Sequence, residues 1–468
     1  MHIIAAVLQI FEFYIILFMK KLLIVLLCLG FLQAEAQKKS SRNQSQNKPK
    51  YELKDIFASG TFSPKGVYGL QMMPNSEHYL ETKYDAATKA TTVVKMGFES
   101  ATPEATVFNS ATATGLPKDF AFEGYSISPK GNFLLLQTNS NPIYRHSSIS
   151  SFYVFDIAAN SAKPIANAKQ VLLAEISPDE TKVAYVVDNN IFIQDLKTNA
   201  IEQVTKDGEF NKIINGKTDW VYEEEFSINK AFEWSPEGDK LAYLKFDESK
   251  VKLYQLAVYD SLYPSQHRYK YPKAGEDNSV VSLWVYDMKG KQNQRYFSTS
   301  SGIAEYLPRF KWISNAEFCF QRLNRNQNDL SILKVDLHIH DIKQDIFIRI
   351  YEEESNTYVD VPEIHFLKDG SFLINSEKEG YNQIYHYNAA GGLINKVTKD
   401  NFEVADILAI DEVKKQIVYS SIEPNPYEKN IYRVNFDGSS KKSIKDFAPV
   451  SDGEFQLKAF GRNNAIFS

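Results

Sequence analysis

Cysteine is nearly missing from these 468 residues: only Cys28 and Cys319 occur. Cys28 falls in an apolar run near the N-terminus, so Cys319 has no intrachain partner and no disulfide can staple the fold. Cys319 lies in the alternating run EFCFQ, where a free thiol packs as a small hydrophobe. An excess of positive charge is missing too. The formal net charge is −5, which argues against the basic face of a nucleic-acid binder. Convincing helical stretches are few after residue 51. There is no GxGxxG, Walker-type loop or CxxC, and no G-x-S-x-G pentapeptide, the nearest being GYSIS at 124–128. Without that strained strand-to-helix turn, and without a βαβ alternation, no Ser/His/Asp triad can be assigned. No catalytic residue, metal site or cofactor is expected.

Aromatics are plentiful. With 27 Tyr and 31 Phe, 13% of the chain is aromatic and 43% apolar, enough to bury a sizeable core and inclined toward strands. The apolar run at residues 3–18 is interrupted by Glu12 and is short for a membrane span. A second run starts at Met19, with Lys20 and Lys21, then LLIVLLCLGFLQ, then Ala34-Glu35-Ala36 before Gln37. That is the basic, apolar and small-residue order of a secretory leader. Met19 reads as the start, residues 1–36 as upstream extension plus signal peptide, and cleavage is expected after Ala36. The alternative is one longer uncleaved anchor. Either way the chain is exported, to the periplasm or outside. Residues 37–50, polar and basic, read as a disordered leader.

From residue 51 a unit recurs: an aromatic or apolar residue, a turn such as S-P-x-G, then a strand. It occurs as YSISPKGNFLLL at Pro129, AEISPDETKVAYV at Pro178 and FEWSPEGDKLAYL at Pro236. Looser copies fall at Pro74, Ser314, Asp369 and Asp411, giving intervals of 55, 49, 58, 78, 55 and 42 residues. VAYVVDNNIFIQDL (183–196) and NQIYHYNAAGGLINKVT read as strand pairs. A period near 40–50 residues with several strands per unit predicts a β-propeller, whose blades cannot bury their cores alone. The 78-residue interval leaves room for an insertion containing the Tyr/Pro-rich YPSQHRYKYPKAGEDNSVVSLWVYD. Seven units are counted, and Phe467-Ser468 falls where an eighth turn would open. The expectation is therefore an all-β propeller over 51–468, truncated within its eighth blade, with no α/β-hydrolase domain present.

DWVYEEEF (219–226) places three carboxylates side by side after two aromatics. Such a run is either a solvated acidic turn or a site waiting for a cation. The segment resembles the double-glutamate motif of the dipeptidyl peptidase IV group in the prolyl oligopeptidase clan of serine peptidases. IYRHSSISSFYVFD (143–156), YPKAGEDN (271–278), YLPRFKW with RLNRNQN (306–328) and SEKEGYNQIYHY (376–387) follow in that family's order. The resemblance covers nearly everything from residue 51 onward. It implies an eight-bladed propeller followed by an α/β-hydrolase domain, with release of N-terminal Xaa-Pro or Xaa-Ala dipeptides. It makes Glu224 and Glu225 the pair that holds the substrate's free amine, and Arg145 the contact to a backbone carbonyl. Glu223, Asp219 and Trp220 match positions that shape the segment. No residue cleanly matches the family's aromatic at the second specificity pocket, Tyr358 being the candidate.

Independently of the resemblance, an α-ammonium carries three donors and no acceptor, so two converging carboxylates satisfy it better than one. His338 and His340 are expected on one strand face with no third ligand, and Asn43-Gln44-Ser45 is a glycosylation sequon in the leader. The implied partners are peptides with a free N-terminus and the missing hydrolase domain, with room for a homodimer of the full-length enzyme. Two rivals stand beside this reading: a stand-alone propeller without catalysis, and a general protein-interaction propeller of the TolB type.

Overall fold

The computed structural model describes residues 18–22, 51–62, 69–74, 76–99, 102–301, 305–338 and 347–444, and the backbone alone at 457–460 and 465–467. The chain divides into two compact units, Met1–Gly66 and Val67–Ser468. In the first, the described residues form a helical stretch at 18–22 and a short helix, Leu53–Phe57. The rest of the expected leader, including Ala34, Ala36 and Cys28, lies outside the described residues. Among the described residues no helix is long and apolar enough to cross a membrane.

The second unit is all-β and builds a propeller of seven successive antiparallel sheets. The first blade runs from Gln71–Met72 to Ala105–Asn109, the second from Gly124–Ile127 to Ser161–Pro164, and the third from Leu172–Ile176 to Ile201–Gln203. The fourth runs from Ile213–Asn215 to Gln292–Ser298 and has five strands; the fifth to seventh return to four, ending at Lys442–Ser443. A further two-stranded sheet pairs Leu457–Phe460 with Ala465–Phe467. Phe467 is thus in a strand where a turn was expected, and Ser468 lies outside the described residues.

Six of the seven sequence turns, from Pro74 to Asp411, join the first and second strands of their blades; the Pro236 turn of the five-stranded fourth blade joins Phe232–Trp234 to Lys240–Asp247. Glycine serves where the turn needs the left-handed region: Gly131, Gly238 and Gly370 have φ of +85°, +71° and +82°. In the third blade Glu180 holds that position instead, at φ +61°. Its carboxylate accepts from the Lys130 and Asn132 nitrogens at 2.7 Å each and from Ser128, all in the preceding blade's turn. Those bonds offset the strain of a left-handed non-glycine residue and tie two blades together.

The cores lie between blades, as the repeat demands. One cluster joins the first two blades through Leu80, Val93, Phe108 and Leu134, and another joins the sixth and seventh through Leu373, Ile384, Ile417 and Tyr419. The largest runs through the fourth, fifth and sixth, and includes Phe246, Phe320 and Phe372. Cys319 sits inside it, buried, with its thiol pushed up to about 12 by burial.

The fourth blade departs from the pattern twice. Between its Ile213–Asn215 and Phe232–Trp234 strands lies a six-residue helix, Trp220–Glu225. Between its Lys240–Asp247 and Val280–Asp287 strands an arm is inserted: the antiparallel pair Leu253–Val258 and Ser265–Lys270. The Tyr/Pro-rich segment of the expected insertion thus supplies, in Ser265–Lys270, the return strand of a hairpin. The expected histidine pair is corrected as well. The strand ends at Asp336, and His338 lies in the turn after it, its N–H donating to Asp336 Oδ1 at 2.8 Å. His340 lies outside the described residues.

Candidate functional site

The acidic run is helical because Asp219 caps it. Its Oδ1 accepts the Tyr222 N–H at 3.0 Å and its Oδ2 accepts the Ser279 hydroxyl at 2.7 Å. Negative charge at the first turn also suits the helix dipole. Tyr222 turns inward, where its hydroxyl oxygen accepts the Leu307 N–H at 2.8 Å and its ring meets Phe226, Phe246 and Tyr306. At the other end Arg309 Nη2 donates to the Phe226 carbonyl at 2.9 Å. Trp220 packs on Tyr271 of the polypeptide leaving the arm, ring centres 4.3 Å apart.

With those side chains fixed, the three glutamates point to three different environments. Glu223 is buried, and its Oε1 accepts the N–H groups of His146 and Ser147, both at 2.8 Å. Glu224 is partly exposed and its Oε2 meets Arg145 Nε at 3.0 Å across 79 positions of sequence. Glu225 is exposed and has no hydrogen bond or ion pair among the described residues. Arg145 itself is 71% exposed. Its Nε is engaged, while its two terminal nitrogens have no partner among the described residues and remain open to an acceptor.

The other motifs converge on the same helix. From YPKAGEDN, Asn278 Nδ2 donates to the Tyr306 hydroxyl at 2.9 Å, and the Glu276 carbonyl accepts from Arg325 of RLNRNQN. Arg325 also meets Glu305 Oε1 at 3.0 Å. Tyr358 is 52% exposed, and burial together with the negative field of Asp360, Glu225 and Glu377 holds its phenol above the usual value. It therefore stands within electrostatic reach of Glu225. SEKEGYNQIYHY does something else: Lys378 lies 4.1 Å from the Tyr385 ring centre and donates to the Tyr387 hydroxyl at 2.6 Å, which is packing within the sixth blade.

Beside the helix is a buried cluster of charge of which sequence reasoning named only Asp219. Burial pushes the Asp219 carboxyl up and the Lys217 ammonium down. Burial, with Asp219 nearby, pushes Glu248 up to about 7, against the opposing pull of Lys217 and Lys270. Tyr144, next to Arg145, is raised to about 12 by burial and by Glu248. Asn229 was also missed; its Nδ2 donates to the His146 carbonyl. Nothing in the local pattern singles out Asn229, whereas a lone Glu248 between a strand and an aromatic arm was a readable hint.

One further carboxylate group, Asp329 with Glu352 and Glu354, is close enough to chelate a cation, because Asp329 faces Glu354 across two strands. Arg322 approaches Asp329 to 3.9 Å and Arg349 pairs with Glu352. Two of the three charges are thereby answered within the protein.

The model of the dipeptidyl peptidase IV N-terminal region matches residues 128–456. Dipeptidyl aminopeptidase B of Saccharomyces cerevisiae is 30% identical over 347 residues, covering 68% of this chain and 40% of that protein. Venom dipeptidyl peptidase 4 of Vespa velutina is 30% identical over 346 residues, covering 69% and 44%. The crystal structure of Porphyromonas gingivalis dipeptidyl peptidase 4 superposes with a TM-score of 0.79 at 32% identity, covering 89% of this chain and 57% of that one. The chain thus spans less than half the length of these two curated relatives.

Proposed function

The chain belongs to the dipeptidyl peptidase IV family through its N-terminal propeller region, and from that premise we propose that it gates and reads substrate for an exported serine peptidase of that kind. On this reading the full protein has an eight-bladed propeller and releases N-terminal Xaa-Pro and Xaa-Ala dipeptides, its nucleophile supplied by an α/β-hydrolase domain. Glu224 and Glu225 receive the substrate's α-ammonium, and the free nitrogens of Arg145 receive a backbone carbonyl. The observation that supports it is the Arg145–Glu224 pair at 3.0 Å beside Glu225, which is unpaired among the described residues. A cation entering there meets one carboxylate already oriented and one open. The terminal nitrogens of the guanidinium stay free for the next polar group of the chain.

The chemistry of such a pair enforces an exopeptidase register. Only a chain whose amine lies two residues from the scissile bond can reach the glutamates. A blocked terminus leaves charge without a partner, at a cost of a few kcal/mol. The test is calorimetric binding of a free and an N-acetylated Xaa-Pro peptide to the chain. Acetylation is expected to weaken binding roughly tenfold or more. Equal affinities sink the amine site.

A further inference from the structure

Arg145 sits in the loop between the second blade's Phe133–Pro142 and Ser148–Asp156 strands, whereas its glutamate partner belongs to the fourth blade. A 71% exposed arginine on a surface loop ordinarily samples many rotamers and contributes little to any one geometry. Here the loop's backbone is gripped. The Glu223 carboxylate takes the N–H groups of His146 and Ser147 at 2.8 Å each, and the Asn229 amide donates to the His146 carbonyl. His146 thus has both its main-chain polar groups bound by one seven-residue stretch of another blade, Glu223 to Asn229. On the flank of the loop, Tyr144 packs on Tyr269 of the arm, ring centres 5.9 Å apart, and Tyr269 also reaches Trp220 at 6.4 Å. Glu223 is 2% exposed, so its two hydrogen bonds are made away from competing water.

We propose that Glu223 and Asn229 are positioning residues: they clasp the His146 backbone and so preset the Arg145 guanidinium beside Glu224 for the substrate's carbonyl. The inference rests on the amine-site reading and adds what holds its two halves together. Neither residue touches substrate. Glu223 faces the loop backbone with the oxygen that would otherwise be solvated, and Asn229 closes the loop from the C-terminal side of the helix. The geometry of the ion pair then comes from the second and fourth blades being tied together, with little left to the arginine's own rotamer preference. Positions set in this way lose function when the tie is cut even though every contacting group is still present.

A double-mutant cycle on the full chain tests this, with calorimetric binding of Ala-Pro-Ala as the probe and thermal melting to follow folding. Arg145→Ala is expected to weaken binding roughly tenfold or more, and Glu223→Ala to weaken it comparably. In the Arg145→Ala background, Glu223→Ala should then add less than about twofold, because it acts only through the arginine. Glu223→Gln keeps an acceptor oxygen for both N–H groups and should restore binding to within about threefold. Asn229→Ala removes the other half of the clasp without opening a buried cavity, and is expected to reproduce part of the loss if Glu223→Ala folds poorly. Losses that multiply across the cycle, or no loss in either clasp variant while Arg145→Ala weakens binding, overturn the clasp and leave the amine site standing. Arg145→Ala without effect sinks the carbonyl contact and the clasp with it, whereas equal binding of free and N-acetylated peptide sinks the amine site itself.

Discussion

The carboxylates at the turns between blade strands and those buried in the fourth blade are the same chemical group put to opposite uses. At the turns, Asp195, Asp369 and Asp437 accept hydrogen bonds from Thr198, Ser371 and Ser439, and these hold each carboxyl below its usual range. Such bonds are local and wet, and they fix the chain reversal that each blade needs. In the fourth blade, burial pushes Asp219 up, and it pushes Glu233 and Glu248 up to about 7. A buried acid of that kind costs folding free energy. Glu233 belongs to the FEWSPEGDK repeat, whereas Asp219 and Glu248 flank the helix and the arm, so most of this buried charge gathers where the fourth blade departs from the pattern. The site sits where the propeller is least like itself, on a helix and beside an arm that the plain blades lack.

The largest test of that division sets one residue of each kind side by side. Phe320 is fully buried in the core shared by the fourth to sixth blades. Phe320→Ala is expected to cost about 3–5 kcal/mol in denaturant unfolding, with free-amine preference intact in whatever fraction stays folded. Asp219→Ala removes the helix cap and the Ser279 bond, and is expected to cost only about 1–2 kcal/mol while abolishing that preference. A loss of preference in the Phe320 variant, or its retention in the Asp219 variant, would break the comparison.

A smaller effect separates the two regions by pH. In the unfolded chain glutamates titrate near 4.3, whereas folded Glu233 and Glu248 titrate at about 7. Between those values the folded state holds more protons, so their contribution to stability falls as pH rises through the window. The turn aspartates behave inversely: their contribution is complete above the unfolded aspartate value and is lost as pH falls below it. Melting temperature measured from pH 3 to 8 should therefore drop at both ends. Glu248→Gln should flatten the decline between pH 5 and 7 and leave the acid limb untouched. An unchanged decline would remove Glu248 as its source.

What could be read in the sequence follows the same line. The turns were legible because most repeat a local rule: proline, serine or aspartate opens the reversal, glycine takes the left-handed position in three of them, and a strand follows. Glu180 shows the limit, since a glutamate at φ +61° is intelligible only once Ser128 and Asn132 of the neighbouring blade surround it. The helix was not legible as a helix, because Trp220–Glu225 is less than two turns long and shows no period. The arm was not legible as a hairpin, because Leu253–Val258 lies largely exposed and lacks an alternating apolar face. Glu224, Glu225 and Arg145 were named by resemblance, and the meeting of Arg145 with Glu224 across blades is a fact of the tertiary fold. Lys217, Asn229 and Tyr269 act through partners distant in sequence, which no local pattern announces.

The smallest expected effect lies inside the site, at Ser147. Its backbone N–H is bound by Glu223, yet its side-chain oxygen is buried with no hydrogen-bond partner among the described residues. A buried hydroxyl without a partner carries its desolvation cost with no return. Ser147→Ala keeps the N–H and removes that cost. It is expected to leave peptide affinity within about twofold and stability unchanged or raised by up to about 1 kcal/mol. The outcome bears on why Glu223→Ala matters. If deleting the hydroxyl one residue away is harmless while deleting the carboxylate is not, then the loop is held by its backbone, and the side chains it presents, apart from Arg145, are free to vary. A Ser147→Ala variant that loses affinity as Arg145→Ala does would move the clasp from backbone to side chain.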